Sequence, residues 1–127
     1  MEHWKVLLVT KDRGAVIADT LLDWGIKMVR CSTVSQARQI LSRQAISQIF
    51  CDAHLPDGNF RDVVEIARMA SQEPPIVVLI PQNSGESTFL EAIEAGAFDS
   101  ISSPVSRPEV QWEIVQAMRK ASHTQAA

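Results

Sequence analysis

The segment Ile76–Ile80, with the sequence IVVLI, constrains the fold of this chain more than any other. Five consecutive apolar residues, four of them β-branched, are typical of a short strand that is hydrophobic on both faces. Such strands lie inside parallel sheets that helices cover on both sides. Pro74 and Pro75, directly before the run, are expected to end the preceding helix. The segment therefore predicts a central parallel strand in an α/β fold.

Similar short runs occur along the whole chain, and segments with helical spacing of apolar residues separate them. The other predicted strands are Trp4–Val9, Ile26–Cys31, Ile46–Cys51 and Phe98–Ser102. The apolar positions that mark the five predicted helices are Ile17/Leu21/Trp24, Ala37/Ile40/Leu41, Phe60/Val63/Val64/Ala67, Phe89/Ala92/Ile93 and Val110/Ile114/Ala117.

Local signals at the ends of these helices support the assignment. Thr33–Gln36 and Ser106–Glu109 have the form of capping boxes, and Gly25 and Gly96 stand where helices often stop. Repeated β-α units need right-handed crossovers, which produce a parallel sheet with helices on both faces. We expect a doubly wound, five-stranded parallel sheet of the flavodoxin-like (βα)5 type, with strand order 2-1-3-4-5.

Length and composition limit the remaining possibilities. A chain of 127 residues, 46% apolar, is long enough for one core, and we expect a domain over residues 1–121 with a tail at 122–127. The net charge of -3, without a basic stripe, argues against nucleic-acid binding. No apolar run is long enough for a membrane span or a signal peptide, so we expect a cytoplasmic protein. Cys31 and Cys51 lie in apolar contexts and are expected to be buried free thiols.

In sheets of this type, functional groups collect beyond the carboxyl ends of the strands. Three such strand ends carry polar residues or turns: Thr10–Asp12, Asp52–Gly58 and Ile80–Gln82. The second of these segments, DAHLPDG, resembles the D-x-x-L-P-D-G signature of receiver domains from two-component response regulators. Gly96–Asp99 resembles the family's G-A-x-D, and Pro104 stands where the family has a cis proline. The resemblance covers the chain from Lys5 to about Lys120.

The resemblance implies that a histidine kinase transfers a phosphoryl group from its phosphohistidine to Asp52. A carboxylate can act as a nucleophile towards phosphorus when approach is in line and the developing charge is neutralised. The alternative is that Asp52 only starts a turn by bonding to the loop backbone.

Much of the remaining pocket departs from the family's pattern. Thr10 and Lys11 stand where receivers usually have two acids that organise Mg²⁺. Ile80 replaces a Ser or Thr that donates to the phosphoryl group, and Ser103 replaces a Lys that contacts it. Ser100 replaces the aromatic residue that switches position. These differences predict that no metal or other cofactor is held tightly.

Lys11 is expected to pair with Asp52, its ammonium occupying the place of Mg²⁺. Asp12 could reach a cation only after a one-residue strand slip, which would reverse the facing of its side chains. His54 borders the predicted pocket and is interpreted either as a solvated loop residue or as a ligand or base. His3 and His123, near the termini, carry no signal.

Trp24 follows the inner face of the first helix and is expected in the core. Trp112 lies off the buried stripe of the last helix. It either contacts a partner protein or a second copy of the chain, or folds against its own helix.

Three hypotheses of function follow. The first is a receiver-type signalling domain in a phosphorelay, with a histidine kinase or another signalling protein as partner and no enzyme activity. The second is a pseudo-receiver, an interaction module that does not depend on phosphorylation. The third is a small flavodoxin-like enzyme or cofactor binder, which finds little support because Thr10–Gly14 offers no glycine-rich phosphate cradle.

Overall fold

The computed structural model describes residues 3–82 and 84–126. Short strands and helices alternate along this part of the chain. The strands are β1 Lys5–Val9, β2 Lys27–Cys31, β3 Gln48–Asp52, β4 His54–Leu55, β5 Gly58–Asn59, β6 Ile76–Ile80 and β7 Asp99–Ser102. The helices are α1 Ala15–Asp23, α2 Val34–Arg43, α3 Phe60–Met69, α4 Gly85–Glu94 and α5 Arg107–Ala126.

The main sheet has five parallel strands in the order β2-β1-β3-β6-β7. This is the predicted order 2-1-3-4-5, because β6 and β7 are the fourth and fifth strands of that sheet. The predicted doubly wound, flavodoxin-like fold is therefore confirmed. The two shortest strands, β4 and β5, form an antiparallel hairpin between β3 and α3, where the sequence indicated only a turn.

Alternation of side chains along the strands builds two apolar cores, one on each face of the sheet. On β1, Leu7 and Val9 enter the core under α2 and α3, whereas Val6 and Leu8 enter the core under α1 and α5. The central strand β6 is buried along its whole length, as the IVVLI run predicts. Trp24 packs against the second core, in agreement with its predicted place.

The predicted capping boxes have different outcomes. Thr33 caps α2 by accepting a hydrogen bond from the Gln36 N–H at 3.1 Å. Helix α2 thus starts at the predicted place, but the Gln36 side chain accepts from the N–H of Ser32 at 2.9 Å instead of completing the box at Thr33. At the start of α5, the Ser106 N–H donates to Glu109 at 3.2 Å and the Glu109 N–H donates back to the Ser106 hydroxyl at 3.4 Å, which confirms the second box.

A third capping box starts α3 and was not predicted. The Asn59 side chain accepts from the Arg61 N–H at 2.8 Å, and Asp62 accepts from the Asn59 N–H at 3.0 Å. A Cβ atom on Gly58 would collide with the Asp62 carboxylate, so any larger side chain there would displace the cap. The β4–β5 hairpin and the first turn of α3 are thus packed closely against each other at Gly58 and Asp62.

Helix α4 lies at one edge of the sheet. On α4, Ala92 is fully buried, but Phe89 and Ile93 stay exposed because this helix covers only the β6 and β7 end of the sheet.

Helix α5 continues through 122–126, which the sequence assigned to a tail, and the domain limits stay a prediction. No helix in the described part of the chain is long and apolar enough to span a bilayer.

Candidate functional site

The register of two neighbouring strands brings Thr10 and Asp52 together. Val9 of β1 lies opposite Cys51 of β3, so the residues that follow them are adjacent at the carboxyl edge of the sheet. Alternation along the strands turns both side chains to the same face. Thr10 is 2% and Asp52 is 5% exposed. The central feature of this edge is therefore a buried hydroxyl beside a buried carboxylate.

Three hydrogen bonds fix this pair. The Thr10 hydroxyl donates to Oδ1 of Asp52 at 2.9 Å, and the main-chain N–H of Lys11 donates to Oδ2 at 3.0 Å. The same hydroxyl accepts a bond from the Arg13 N–H at 3.0 Å. Both carboxylate oxygens of Asp52 thus have a protein donor, and the loop between β1 and α1 is tied to the end of β3.

The predicted ion pair between Lys11 and Asp52 is wrong. The Lys11 side chain is exposed, and in the part of the chain that the structure describes no ion pair joins its ammonium to Asp52. The contact is made by the main-chain N–H of Lys11 instead. The physical reason is that this N–H already faces the carboxylate, while water solvates an exposed ammonium at no cost.

The remaining predicted pocket residues are spread around this edge. Ile80 is buried in the core under α2 and α3, and its carbonyl accepts from the Ser103 N–H at 2.9 Å. The peptide bond between Ser103 and Pro104 is cis, as the resemblance implied. Asp12 and His54 are exposed. Described hydrogen bonds join neither side chain to Asp52, and the His123 side chain lies outside the described residues.

The arrangement does not fit a magnesium ion. Mg²⁺ requires several oxygen ligands in octahedral geometry, usually one or two carboxylates with waters. Both Asp52 oxygens accept from protein donors, and Thr10 contributes a hydroxyl that donates to the carboxylate. The described residues contain no group of three or more His, Cys, Asp or Glu side chains that could hold a metal.

The two cysteines are buried and unpaired, as predicted. Burial, and then the charge of Asp52, raise the pKa of the Cys51 thiol far above its ordinary value. Burial likewise raises the pKa of Cys31. Because the thiolate is the reactive form, neither residue is an activated nucleophile.

Asp57 has a structural role that the sequence reading missed. Its carboxylate crosses from the β4–β5 hairpin to the start of α2, where it accepts from the N–H groups of Val34 at 2.8 Å and Ser35 at 3.0 Å. These two bonds lower the pKa of Asp57. No local signal could indicate this contact, because the bonded residues are more than 20 positions apart in sequence.

Comparison with known proteins finds relatives among response regulators and transcriptional regulatory proteins. The chain is 29% identical over 86 residues to the response regulator protein PilR of Pseudomonas aeruginosa, covering 68% of this chain and 19% of PilR. It is 30% identical over 109 residues to the alginate biosynthesis transcriptional regulatory protein AlgB of Pseudomonas putida, covering 83% of this chain and 24% of AlgB. The chain thus spans less than a quarter of the length of these relatives. No protein-family model matches it.

Among solved structures, the chemotaxis response regulator CheY4 of Vibrio cholerae superposes with a TM-score of 0.77 at 20% identity, covering 90% of this chain and 98% of CheY4. This likeness concerns the fold. The doubly wound α/β sheet in the order β2-β1-β3-β6-β7 places the chain in the flavodoxin-like fold class. Within that class, the chain is a receiver domain of two-component response regulators.

Proposed function

We propose that this receiver domain transmits its signal through protein contacts, with Asp52 serving as a structural anchor at the acceptor position. Phosphorylation that depends on Mg²⁺ is lowered or abolished. The observation that carries the proposal is that Thr10 and the Lys11 N–H donate to both oxygens of the buried Asp52 carboxylate. The domain itself has no enzyme activity and no cofactor in this proposal.

Phosphoryl transfer makes demands that this edge does not meet. The attacking carboxylate oxygen must approach phosphorus in line, and the charge on the phosphoryl oxygens must be neutralised by cations and donors. Here each Asp52 oxygen accepts a protein hydrogen bond, which makes it a weaker nucleophile. Ile80 offers no donor, and Ser103 carries no charge where the resemblance implies a lysine.

The second candidate function is a working phosphoacceptor. Its support is the position of Asp52, an acceptor-only carboxylate at the carboxyl edge of β3, where the resemblance implies the nucleophile. In that reaction an Asp52 oxygen forms a bond to phosphorus while the bond from phosphorus to the donor's leaving group breaks. The leaving group departs with the bonding electron pair.

Intact-mass analysis distinguishes the two candidates. The full chain is incubated with acetyl phosphate, with and without Mg²⁺, beside the variants Asp52→Asn and Asp12→Asn and a receiver that keeps both acids. We expect no phosphoryl adduct on this chain under conditions that modify the comparison receiver. A Mg²⁺-dependent adduct that disappears in Asp52→Asn but persists in Asp12→Asn would establish the second candidate.

The anchoring role has its own test. Asp52→Ala leaves the Thr10 hydroxyl and the Lys11 N–H without an acceptor in a buried site. Loss of a buried hydrogen-bond partner costs about 1–3 kcal/mol, so we expect the free energy of unfolding to fall by that amount. A denaturant titration that shows equal or higher stability for Asp52→Ala would contradict the anchor.

The partner is proposed to be a histidine kinase, another signalling protein or a second copy of the chain. Trp112 supports a contact on α5, since its side chain is 58% exposed. Large aromatic side chains are enriched at protein interfaces and often dominate their binding energy. Cross-linking of the full chain with and without Trp112→Ala tests for self-association through this helix.

A further inference from the structure

A second buried carboxyl group lies on α5, away from the Asp52 edge. Glu113 is only 3% exposed, and its Oε1 atom is buried without a hydrogen-bond partner in the described structure. Buried acidic side chains are rare unless they are paired, because removing a charge from water is costly. The burial of an unpartnered Glu113 oxygen therefore has a cause of its own, separate from the Asp52 site.

The main chain of α5 is bonded to the sheet at this residue. The Gln48 side-chain amide, fully buried at the start of β3, donates to the Glu113 carbonyl at 3.1 Å. The Gln48 oxygen accepts from the Trp4 indole N–H at 3.2 Å. These two bonds connect α5 to β3 and to the residue before β1. They fix the position of the Glu113 main chain against the sheet.

The Asp99 carboxyl group, at the start of β7, lies beside the Glu113 side chain. Asp99 also accepts the N–H of Ser100 at 2.8 Å. Two carboxyl groups can form a hydrogen bond only when one of them carries a proton, because an ionised carboxylate is an acceptor only. Burial first, then the bond to Asp99, and then the charges of Asp99 and Glu109 raise the pKa of Glu113 to about 9.

The surroundings offer Glu113 little that would favour its charged form. Asp99 faces it from β7, and Glu109 lies one turn earlier on α5; both are acidic. From β3 comes the uncharged Gln48 amide. The Lys120 ammonium, two turns further along α5, lies over the Phe98 ring at 5.3 Å. The buried residues of α1, the neighbouring helix, are the uncharged Ile17, Thr20 and Leu21.

We propose that a protonated Glu113 docks α5 on β7 and that loss of its proton releases this part of the helix from the sheet. Docking of α5 is therefore coupled to the binding of one proton. The device is separate from Asp52 and does not depend on whether Asp52 is phosphorylated. Since Trp112 is the neighbour of Glu113 on α5, release would also rearrange the exposed surface around this tryptophan.

The first test is a pH titration of the folded full chain from about pH 6 to pH 10, followed by tryptophan fluorescence and infrared absorption of protonated carboxyl groups. The chain contains no tyrosine, so no tyrosinate forms to quench the tryptophans. We expect a fluorescence transition near the Glu113 pKa of about 9, with loss of the protonated carboxyl band. Glu113→Gln should lack both changes. Glu109→Gln, one turn away, should retain both at a slightly lower pH, because the Glu109 charge is the smallest of the causes that raise the Glu113 pKa.

Stability gives an independent readout. The ordinary pKa of a glutamic acid is 4.5, and in the folded chain the pKa of Glu113 is about 9. Between these two pH values the folded chain holds a proton that the unfolded chain has already released. Stability from this group is complete below that window and is lost as pH rises through it. We expect the unfolding constant of the wild type to rise up to tenfold per pH unit relative to Glu113→Gln.

Two results would overturn the proposal: identical pH dependence of unfolding in the wild type and Glu113→Gln, or no protonated carboxyl band at neutral pH that Glu113→Gln removes. If Glu113→Gln fails to fold, Asp99→Asn replaces it. That variant removes the neighbouring negative charge and should move the fluorescence transition to lower pH. A transition that stays at the wild-type pH would equally contradict the proposal.

Discussion

Thr10 joins three segments through one hydroxyl group. It donates to Asp52 at the end of β3 and accepts from the N–H of Arg13 in the loop that leads into α1. A carboxylate at this position could accept the Arg13 N–H, but it could not donate to Asp52, and the two negative charges would repel each other. The hydroxyl therefore stabilises the Asp52 edge without a cation.

Thr10→Val tests this role with a side chain of nearly the same shape. The change leaves Oδ1 of Asp52 and the Arg13 N–H without their partner. We expect the free energy of unfolding to fall by about 1–3 kcal/mol, measured by denaturant titration, since a buried polar group would lose its bond.

Thr88→Val is the matched control for that experiment. Among the described residues, the Thr88 hydroxyl donates to the carbonyl of Ser84, the residue directly before α4, at 3.0 Å. We expect a change within about 0.5 kcal/mol there. Equal effects of the two substitutions would show that Thr10 contributes nothing specific to the Asp52 edge.

At the scale of elements, the hairpin β4–β5 connects β3 to two helices. Asp57 caps α2 from outside that helix, and Asn59 caps α3, which begins directly after the hairpin. Bonds to the first N–H groups of a helix satisfy donors that have no partner within it. The segment that resembles the receiver signature is therefore also the corner that holds α2 and α3 in place.

Asp57→Asn should lower the midpoint of thermal unfolding at neutral pH, because an amide oxygen cannot replace a charged carboxylate that accepts two N–H bonds. The pKa of Asp57 is lowered, so its contribution is present above the ordinary value of 3.8 and is lost as pH falls through the folded value. The midpoints of wild type and variant should therefore converge in strong acid.

Asp19→Asn, on the exposed side of α1, is the control for this experiment. It should leave the midpoint nearly unchanged at every pH. A difference between wild type and Asp57→Asn that persists in acid would mean that the Asp57 charge is not responsible for the stabilisation.

At the scale of the whole molecule, one sheet divides the interior into two cores. Adjacent residues of β1 enter opposite cores: Leu7 lies under α2 and α3, and Leu8 lies under α1 and α5. Both are fully buried. Because the strands are shared by the two cores, loss of packing on one face also weakens the support for the other.

Leu7→Ala and Leu8→Ala should each reduce the free energy of unfolding by about 2–5 kcal/mol, the range for removal of a large buried aliphatic side chain. Each variant should still unfold in a single transition when far-UV circular dichroism and tryptophan fluorescence are followed together. Separate transitions for the two probes in either variant would show that the two cores unfold independently. Leu22→Ala, with an exposed side chain on α1, serves as the control.

The sequence by itself determined the five strands of the main sheet and the acid at the end of the third one. Each of these depends on local patterns. The IVVLI run can be buried on both faces only inside a parallel sheet, and alternating β-α units allow few topologies. The motif around Asp52 likewise lies in consecutive residues, so its position at the strand end could be read directly.

Only the tertiary structure decided which groups meet. The register of β1 against β3 placed the Thr10 hydroxyl on Asp52 and left the Lys11 ammonium in solvent. Packing of α5 on β3 and β7 buried Glu113 beside Asp99, although a charged residue in a helix is normally expected at the surface. The physical reason is that contacts between side chains distant in sequence depend on how neighbouring elements align and pack, which local hydrophobic patterns do not encode.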